Sequence, residues 1–191
     1  MIAQLSRQRA ALLVVDIQDK LAAAMPQAVL AQTVRNTAVL IETARRMWLP
    51  IVVSQQYPKG LGPTVNAIEE ALRDAPTLHR FDKQVFSAAD TPDFAALAPT
   101  LGTASPRDQW IVTGMEAHVC VYQSARGLVE RGYQVHVVAD AIASRTKQNF
   151  KIGKKLIAQT GAIVTSTEVV AFDLLGSAAD AEFKAISRLI K

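Results

Sequence analysis

One cysteine, nine glycines, eight prolines and 6% aromatic residues are all that this chain of 191 residues holds of those types. A lone cysteine closes no intrachain disulfide and builds no multi-thiolate zinc site, and it fits a reducing, cytoplasmic compartment. So little glycine and proline excludes collagen-like and low-complexity chains. No apolar run approaches the ~20 residues that span a bilayer. The opening MIAQLSRQRA lacks the apolar core of a signal peptide. No membrane partner is therefore expected. Charge is scarce as well: 21 Lys and Arg against 17 Asp and Glu leave a formal +4. The dense basic runs are TKQNFKIGKK and the pair Arg45, Arg46, which read as solvated helix faces. There is no aromatic-basic platform of the kind single strands stack on, so no nucleic-acid partner is expected. GxGxxG, GxxxxGK[ST] and GxSxG are all absent, as are HxxxH and DxH spacings. Nucleotide cofactors, a serine elbow and a metal cluster thus lack support, and no cofactor or metal is expected.

What is present is an alternation. Short β-branched apolar runs stand at Ala11–Val15, Ile51–Ser54, Trp110–Thr113, Gln134–Val138 and Ala162–Thr165. They are nearly continuous rather than alternating, as strands buried on both faces of a parallel sheet are. Between them lie helical patterns. Leu30, Val34, Ala38, Ile41 and Trp48 follow a 3.6 period from Gln27 to Trp48. Thr91-Pro92-Asp93 is an N-cap, an N1 proline and an early acid, opening a helix through Leu97. Val119–Arg131 is a further helix, with Gly132 placed to end it. Two more are expected at Asn149–Gln159 and Ala178–Ile190. The length suits one domain over 1–191, with no internal repeat and no linker. Strand, helix, strand predicts an α/β fold: a three-layer, doubly wound sandwich with a mostly parallel central sheet flanked by helices. Ligands of such sheets bind beyond the carboxyl ends of the strands, which is where chemistry is to be sought.

Asp16 directly follows the first run, a position that suits a turn or N-cap aspartate as well as a functional acid. Cys120, in GMEAHVC, falls where a strand gives way to a helix. The partial positive charge of a helix start lowers a thiol pKa, which favours a reactive thiolate over an inert buried cysteine. Lys83 lies among apolar neighbours in FDKQVFSA. It is either a surface lysine or a desolvated one. His118 is two residues before Cys120, too close along a turn for a Cys–His dyad, and reads as pocket lining or structure. His136 is expected inside a strand and His79 in a loop.

Together ALLVVDIQ, KQVFSA, GMEAHVCV and VHVVADAIAS resemble the isochorismatase-like cysteine hydrolase family over about Ala11 to Phe172. SQQYPKGLGPTV is similar to its branch of isochorismatase-domain hydrolases of bacteria and eukaryotes. The resemblance implies a catalytic triad of Asp16, Lys83 and Cys120. It implies that Cys120 attacks an electrophilic carbon, that Asp16 moves the proton, and that Lys83 keeps Asp16 ionised. It further implies a cis peptide at Met115–Glu116 and an oxyanion hole from the backbone N–H groups of Glu116 and Cys120. Candidates for the substrate pocket are Ile17, Gln18, Tyr57, Phe86, His118, Val119 and Tyr122. Two departures narrow the implied activity. Where nicotinamidases of the family carry a DxH metal motif, this chain reads Ser54-Gln55-Gln56-Tyr57. True isochorismatases lack the nucleophile that Cys120 supplies. The implied activity is a metal-independent, amidase-like hydrolysis of a small-molecule C–N bond through a thioester-type intermediate. A non-catalytic scaffold on the same fold is the alternative. The resemblance also implies a homo-oligomer, a tetramer or octamer, to which the apolar stretch Val164–Leu175 contributes.

Overall fold

The first strand, β1 (Ala10–Val15), has every residue buried. Its side chains alternate between two cores: Ala10, Leu12 and Val14 enter one, and Ala11, Leu13 and Val15 the other. A strand covered on both faces has no polar position to show, which is why AALLVV reads as an unbroken run. Each fully buried Leu or Val there contributes about 1.5–3 kcal/mol of hydrophobic free energy. The computed structural model describes residues 4–102 and 106–190.

In chain order β1 is followed by α1 (Asp19–Ala23), α2 (Gln27–Arg46), β2 (Ile51–Gln56), α3 (Pro58–Leu61), α4 (Asn66–Leu72) and β3 (Leu78–Lys83). Then come α5 (Pro92–Leu97) with a 3-10 turn at Ala98–Thr100, β4 (Gln109–Met115), α6 (Cys120–Glu130) and β5 (Gln134–Ala143). The last elements are α7 (Lys147–Gln159), β6 (Ile163–Thr165), α8 (Thr167–Leu175) and α9 (Phe183–Ile190). The six strands form one sheet in the order β3-β2-β1-β4-β5-β6, and every pairing is parallel. Helices α2, α4, α8 and α9 bury Leu40, Ile68, Val170 and Ile186 on one face. Helices α5, α6 and α7 bury Phe94, Val121 and Ile157 on the other. This is the three-layer α/β sandwich expected.

Several elements differ from the sequence reading. His79 was expected in a loop and lies instead in strand β3, which the apolar runs did not include. This is an edge strand, paired from Leu78 opposite Ile51 to Lys83 opposite Gln56. Its outer side is wet, so LHRFDK carries few apolar residues and gives no buried-strand signal. Strand β5 runs past Val138 to Ala143, because an irregularity slips its register between Val112 and Gly114 of β4. Asp140 sits in that irregularity and accepts hydrogen bonds from the backbone N–H and hydroxyl of Thr167. Helix α8 was not foreseen: its short apolar sequence has no clear period, yet Ser166 caps it by accepting from the Val169 N–H and Gly176 ends it at φ +67°. The C-terminal helix begins at Phe183 rather than Ala178. Among the described residues no helix is long and apolar enough to cross a membrane.

Candidate active site

The strand order turns back between β1 and β4, and this switch point opens a crevice at their carboxyl ends. Two glycines let the backbone close up around it. Gly114 has φ +128°, and a Cβ there would lie 2.0 Å from the Val15 carbonyl oxygen. Gly153 of α7 lies so close to the Ala117–His118 backbone that a Cβ would come within 2.7 Å of it. The loop after β4 is thus clamped between β1, α7 and β5, whose Ala143 carbonyl accepts from the Ala117 N–H at 2.7 Å. Within it the Met115–Glu116 peptide is cis. The Glu116 carbonyl accepts from Val119 and Val121 at 3.0 and 3.2 Å, and its carboxylate accepts from Arg145 Nε at 2.9 Å. Cys120 follows as the first residue of α6.

Asp16 ends β1 in a left-handed turn, φ +50°, a conformation that Asp tolerates better than most residues. Its N–H donates to the Ser54 carbonyl at 3.1 Å. Carboxylate Oδ1 accepts from Ser54 Oγ at 2.8 Å, and Oδ2 lies 2.6 Å from Lys83 Nζ. Both side chains of this ion pair have 0% exposure. Lys83 closes β3 and reaches across the end of β2. Its ammonium also donates to Gln56 Oε1 at 2.7 Å and to the Phe86 carbonyl at 3.0 Å, with Val85 O at 3.4 Å. A buried charge is tolerated only when so paired.

Cys120 is 5% exposed, and its thiol is near enough to both members of the pair to feel their charges. Burial, then the neighbouring Asp16 carboxylate, push its pKa up to about 12, against a smaller lowering by Lys83. This corrects the expectation of a thiol depressed towards neutrality. A helix start favours thiolate, but desolvation beside a carboxylate outweighs it here. Burial thus favours the neutral thiol of Cys120. Asp16 is itself raised above the ordinary carboxylate range, first by burial, with Lys83 and the hydrogen bonds from its neighbours pulling the other way.

The other candidates divide. Phe86 and Tyr57 are about half exposed, at 52% and 48%. Phe86 gives its carbonyl to Lys83, and the Tyr57 N–H donates to the Lys83 carbonyl at 2.9 Å. His118 is half-buried, its Nδ1 3.0 Å from Ser144 Oγ. Val119, the residue before α6, packs on the core at the α6 face of the sheet. Three were expected to line a pocket and are placed otherwise. Ile17 is 1% exposed within the core under α2. Gln18 is fully buried and spends its amide on the backbone, accepting from Gln56 N and donating to the carbonyls of Gln56 and Gly62. Tyr122 is two residues beyond Cys120, about 200° around the helix. It lines a groove with Arg126 and Leu156 instead. Sequence reasoning passed over Ser54 and Gln56, although both stand at the carboxyl end of an apolar strand, as Asp16 does. A cavity of about 530 Å3 opens one strand away, between the first turns of α2 and α7, and is lined by Val29, Ser144, Phe150 and Lys154 but by none of Asp16, Lys83 or Cys120. Among the described residues no three His, Cys, Asp or Glu side chains converge as a metal-ligand set.

Comparisons with known proteins agree with this architecture. The secreted isochorismatase effector Isc1 of Phytophthora sojae is 39% identical over 163 residues, 85% of this chain and 76% of that protein. Isochorismatase domain-containing protein 1 of Danio rerio is 39% identical over 152 residues, 80% of this chain but 51% of that protein, so the chain spans about half its length. The structure of MAR1 ribonuclease from Caenorhabditis elegans matches with a TM-score of 0.88 and 35% identity, covering 98% of this chain and 92% of that one. The family model described as the isochorismatase domain matches residues 10–169, and the chain therefore belongs to the isochorismatase family of hydrolases.

Proposed function

We propose that the protein is a cysteine-dependent, metal-independent hydrolase of a small molecule, cleaving a C–N bond of the amide or ureido kind. The observation that carries this reading is the thiol of Cys120 at a helix start against a fully buried Asp16–Lys83 ion pair of 2.6 Å. As Sγ attacks the carbonyl carbon, Asp16 takes the thiol proton. The backbone N–H groups of Glu116 and Cys120 receive the developing oxyanion, each such donor contributing roughly 3 kcal/mol to the transition state. When the C–N bond breaks, Asp16 returns the proton to the leaving nitrogen and a thioester remains. Water then gives a proton to Asp16 and its oxygen to the acyl carbon, the carboxylic acid leaves, and the thiol is restored. Lys83 stays charged throughout and keeps Asp16 a carboxylate between proton transfers.

Two other readings meet this geometry less well. A scaffold protein has no use for a buried ion pair aimed at a thiol. Ribonuclease activity, suggested by the name of the Caenorhabditis elegans relative, requires a phosphodiester chain to reach the centre, and Cys120 is 5% exposed. Small amides and ureas should be turned over by the wild type. Cys120→Ala should lose that turnover by at least about a thousandfold while keeping its thermal stability, as loss of a covalent nucleophile does. Full activity in Cys120→Ala would overturn the reading, and cleavage of RNA that survives the same substitution would favour the ribonuclease.

A further inference from the structure

An ammonium has three hydrogens to give. Lys83 pairs with Asp16, Nζ to Oδ2 2.6 Å, and its hydrogen bonds go to Gln56 Oε1 at 2.7 Å, Phe86 O at 3.0 Å and Val85 O at 3.4 Å. Gln56 is buried and cannot turn its amide: Nε2 donates to the Gln84 carbonyl at 2.8 Å, which aims Oε1 at the lysine. Its backbone is held just as firmly, since Gln18 accepts from its N–H and donates to its carbonyl. So rigid a frame around one neutral oxygen is more than the packing of a strand end requires. The ionisable groups that meet here are Asp16 from β1, Lys83 from β3 and the Cys120 thiol from α6. Strand β2 and the loop after β3 contribute only neutral groups: Ser54, Gln56 and the carbonyls of Val85 and Phe86.

We infer that Gln56 is a positioning residue that sets the proton count of this buried centre. Its amide oxygen takes one Lys83 hydrogen without bringing a negative charge, so the ammonium answers to Asp16 alone. A carboxylate at that position makes two anions share one cation. In a dry site one of them then holds a proton at neutral pH, and two carboxylates in one site titrate as a pair. Asp16 loses its availability as base for Cys120. The inference rests on the reading of Cys120 as nucleophile and Asp16 as its base, and it adds the residue that keeps the base free.

The test is the rate at which p-nitrophenyl acetate acetylates Cys120, read by mass spectrometry between pH 5 and 9, in the wild type, Gln56→Glu and Gln56→Met. Circular dichroism and a thermal melt establish which variants are folded. The acid half-point of the Gln56→Glu profile should lie about one pH unit or more above that of the wild type, as like-charge pairs do. Gln56→Met, which removes the acceptor without adding charge, should keep the wild-type half-point and lower the plateau tenfold or more. A folded Gln56→Glu with an unmoved half-point overturns the inference. If that variant does not fold, a Gln56→Met that matches the wild type in plateau overturns it instead. A wild type whose Cys120 is not acetylated sinks the underlying reading of the nucleophile, a result distinguishable from either failure of Gln56.

Discussion

At the scale of residues, the site is a contest between burial and pairing. Asp16 and Lys83 have side chains wholly out of water, where either ion alone is costly. Replacing Lys83 by Met leaves the Asp16 carboxylate uncompensated, and its pKa, already raised by burial, rises further. At neutral pH Lys83→Met should be destabilised by about 3–5 kcal/mol. A group whose folded pKa exceeds its unfolded one gives its full stability below the unfolded value and loses it as pH rises through the folded value. The deficit of Lys83→Met should therefore shrink as pH falls from the raised folded-state range of Asp16 towards its unfolded value of about 4. Urea denaturation of both proteins at several pH values checks this; a pH-independent deficit would contradict it. The residues themselves were legible in part. Asp16, Lys83 and Cys120 were named from position and resemblance, and the structure brings them together. Ser54 and Gln56 were not, because their role depends on a lysine reaching across β2 from a strand that the sequence hides. The direction of the Cys120 shift was also not legible, because desolvation is a property of packing.

At the scale of elements, helix α7 is pressed onto the loop that carries Glu116 and His118. Gly153 makes that contact possible, with 2.7 Å between a would-be Cβ and the Ala117 carbonyl. In an ordinary helix interior Gly→Ala stabilises by about 1 kcal/mol through propensity. Here overpacking should win, and Gly153→Ala should destabilise by about 1–3 kcal/mol. It should also slow acetylation of Cys120, since the loop must shift to make room. Chemical denaturation together with the acetylation rate tests this; a stabilised variant with wild-type reactivity would contradict the clamp. The strands that could be read in advance, β1 and β4 among them, are covered on both faces and look it. Edge strand β3 and helix α8 could not, the first because half its side chains face water and the second because nine residues are too few to show a period.

At the scale of the whole molecule, alternation along the chain was enough to predict a doubly wound sheet, and the order β3-β2-β1-β4-β5-β6 places Asp16 and Cys120 on either side of the switch point. Order and register bring Lys83 in from an edge strand, something that no local pattern reveals. Helix α8 leaves Val169 and Phe172 exposed, at 57% and 38%. We propose that this face helps to build a homo-oligomer. Light scattering should give four or eight times the protomer mass, and Phe172→Glu should lower it. A protomer-sized wild type would refute the assembly without touching the chemistry.

The chemistry stands or falls with the thiol of Cys120. The most direct test exposes the folded wild type, folded Asp16→Asn and the urea-unfolded chain to p-nitrophenyl acetate at pH 7 and follows acetyl-Cys120 by mass spectrometry. Cys120 of the folded wild type should be acetylated faster than in the unfolded chain, and Asp16→Asn should react about a hundredfold more slowly or less, as loss of a positioned base implies. A folded wild type whose Cys120 reacts no faster than the unfolded chain, or as fast without Asp16, would contradict the account.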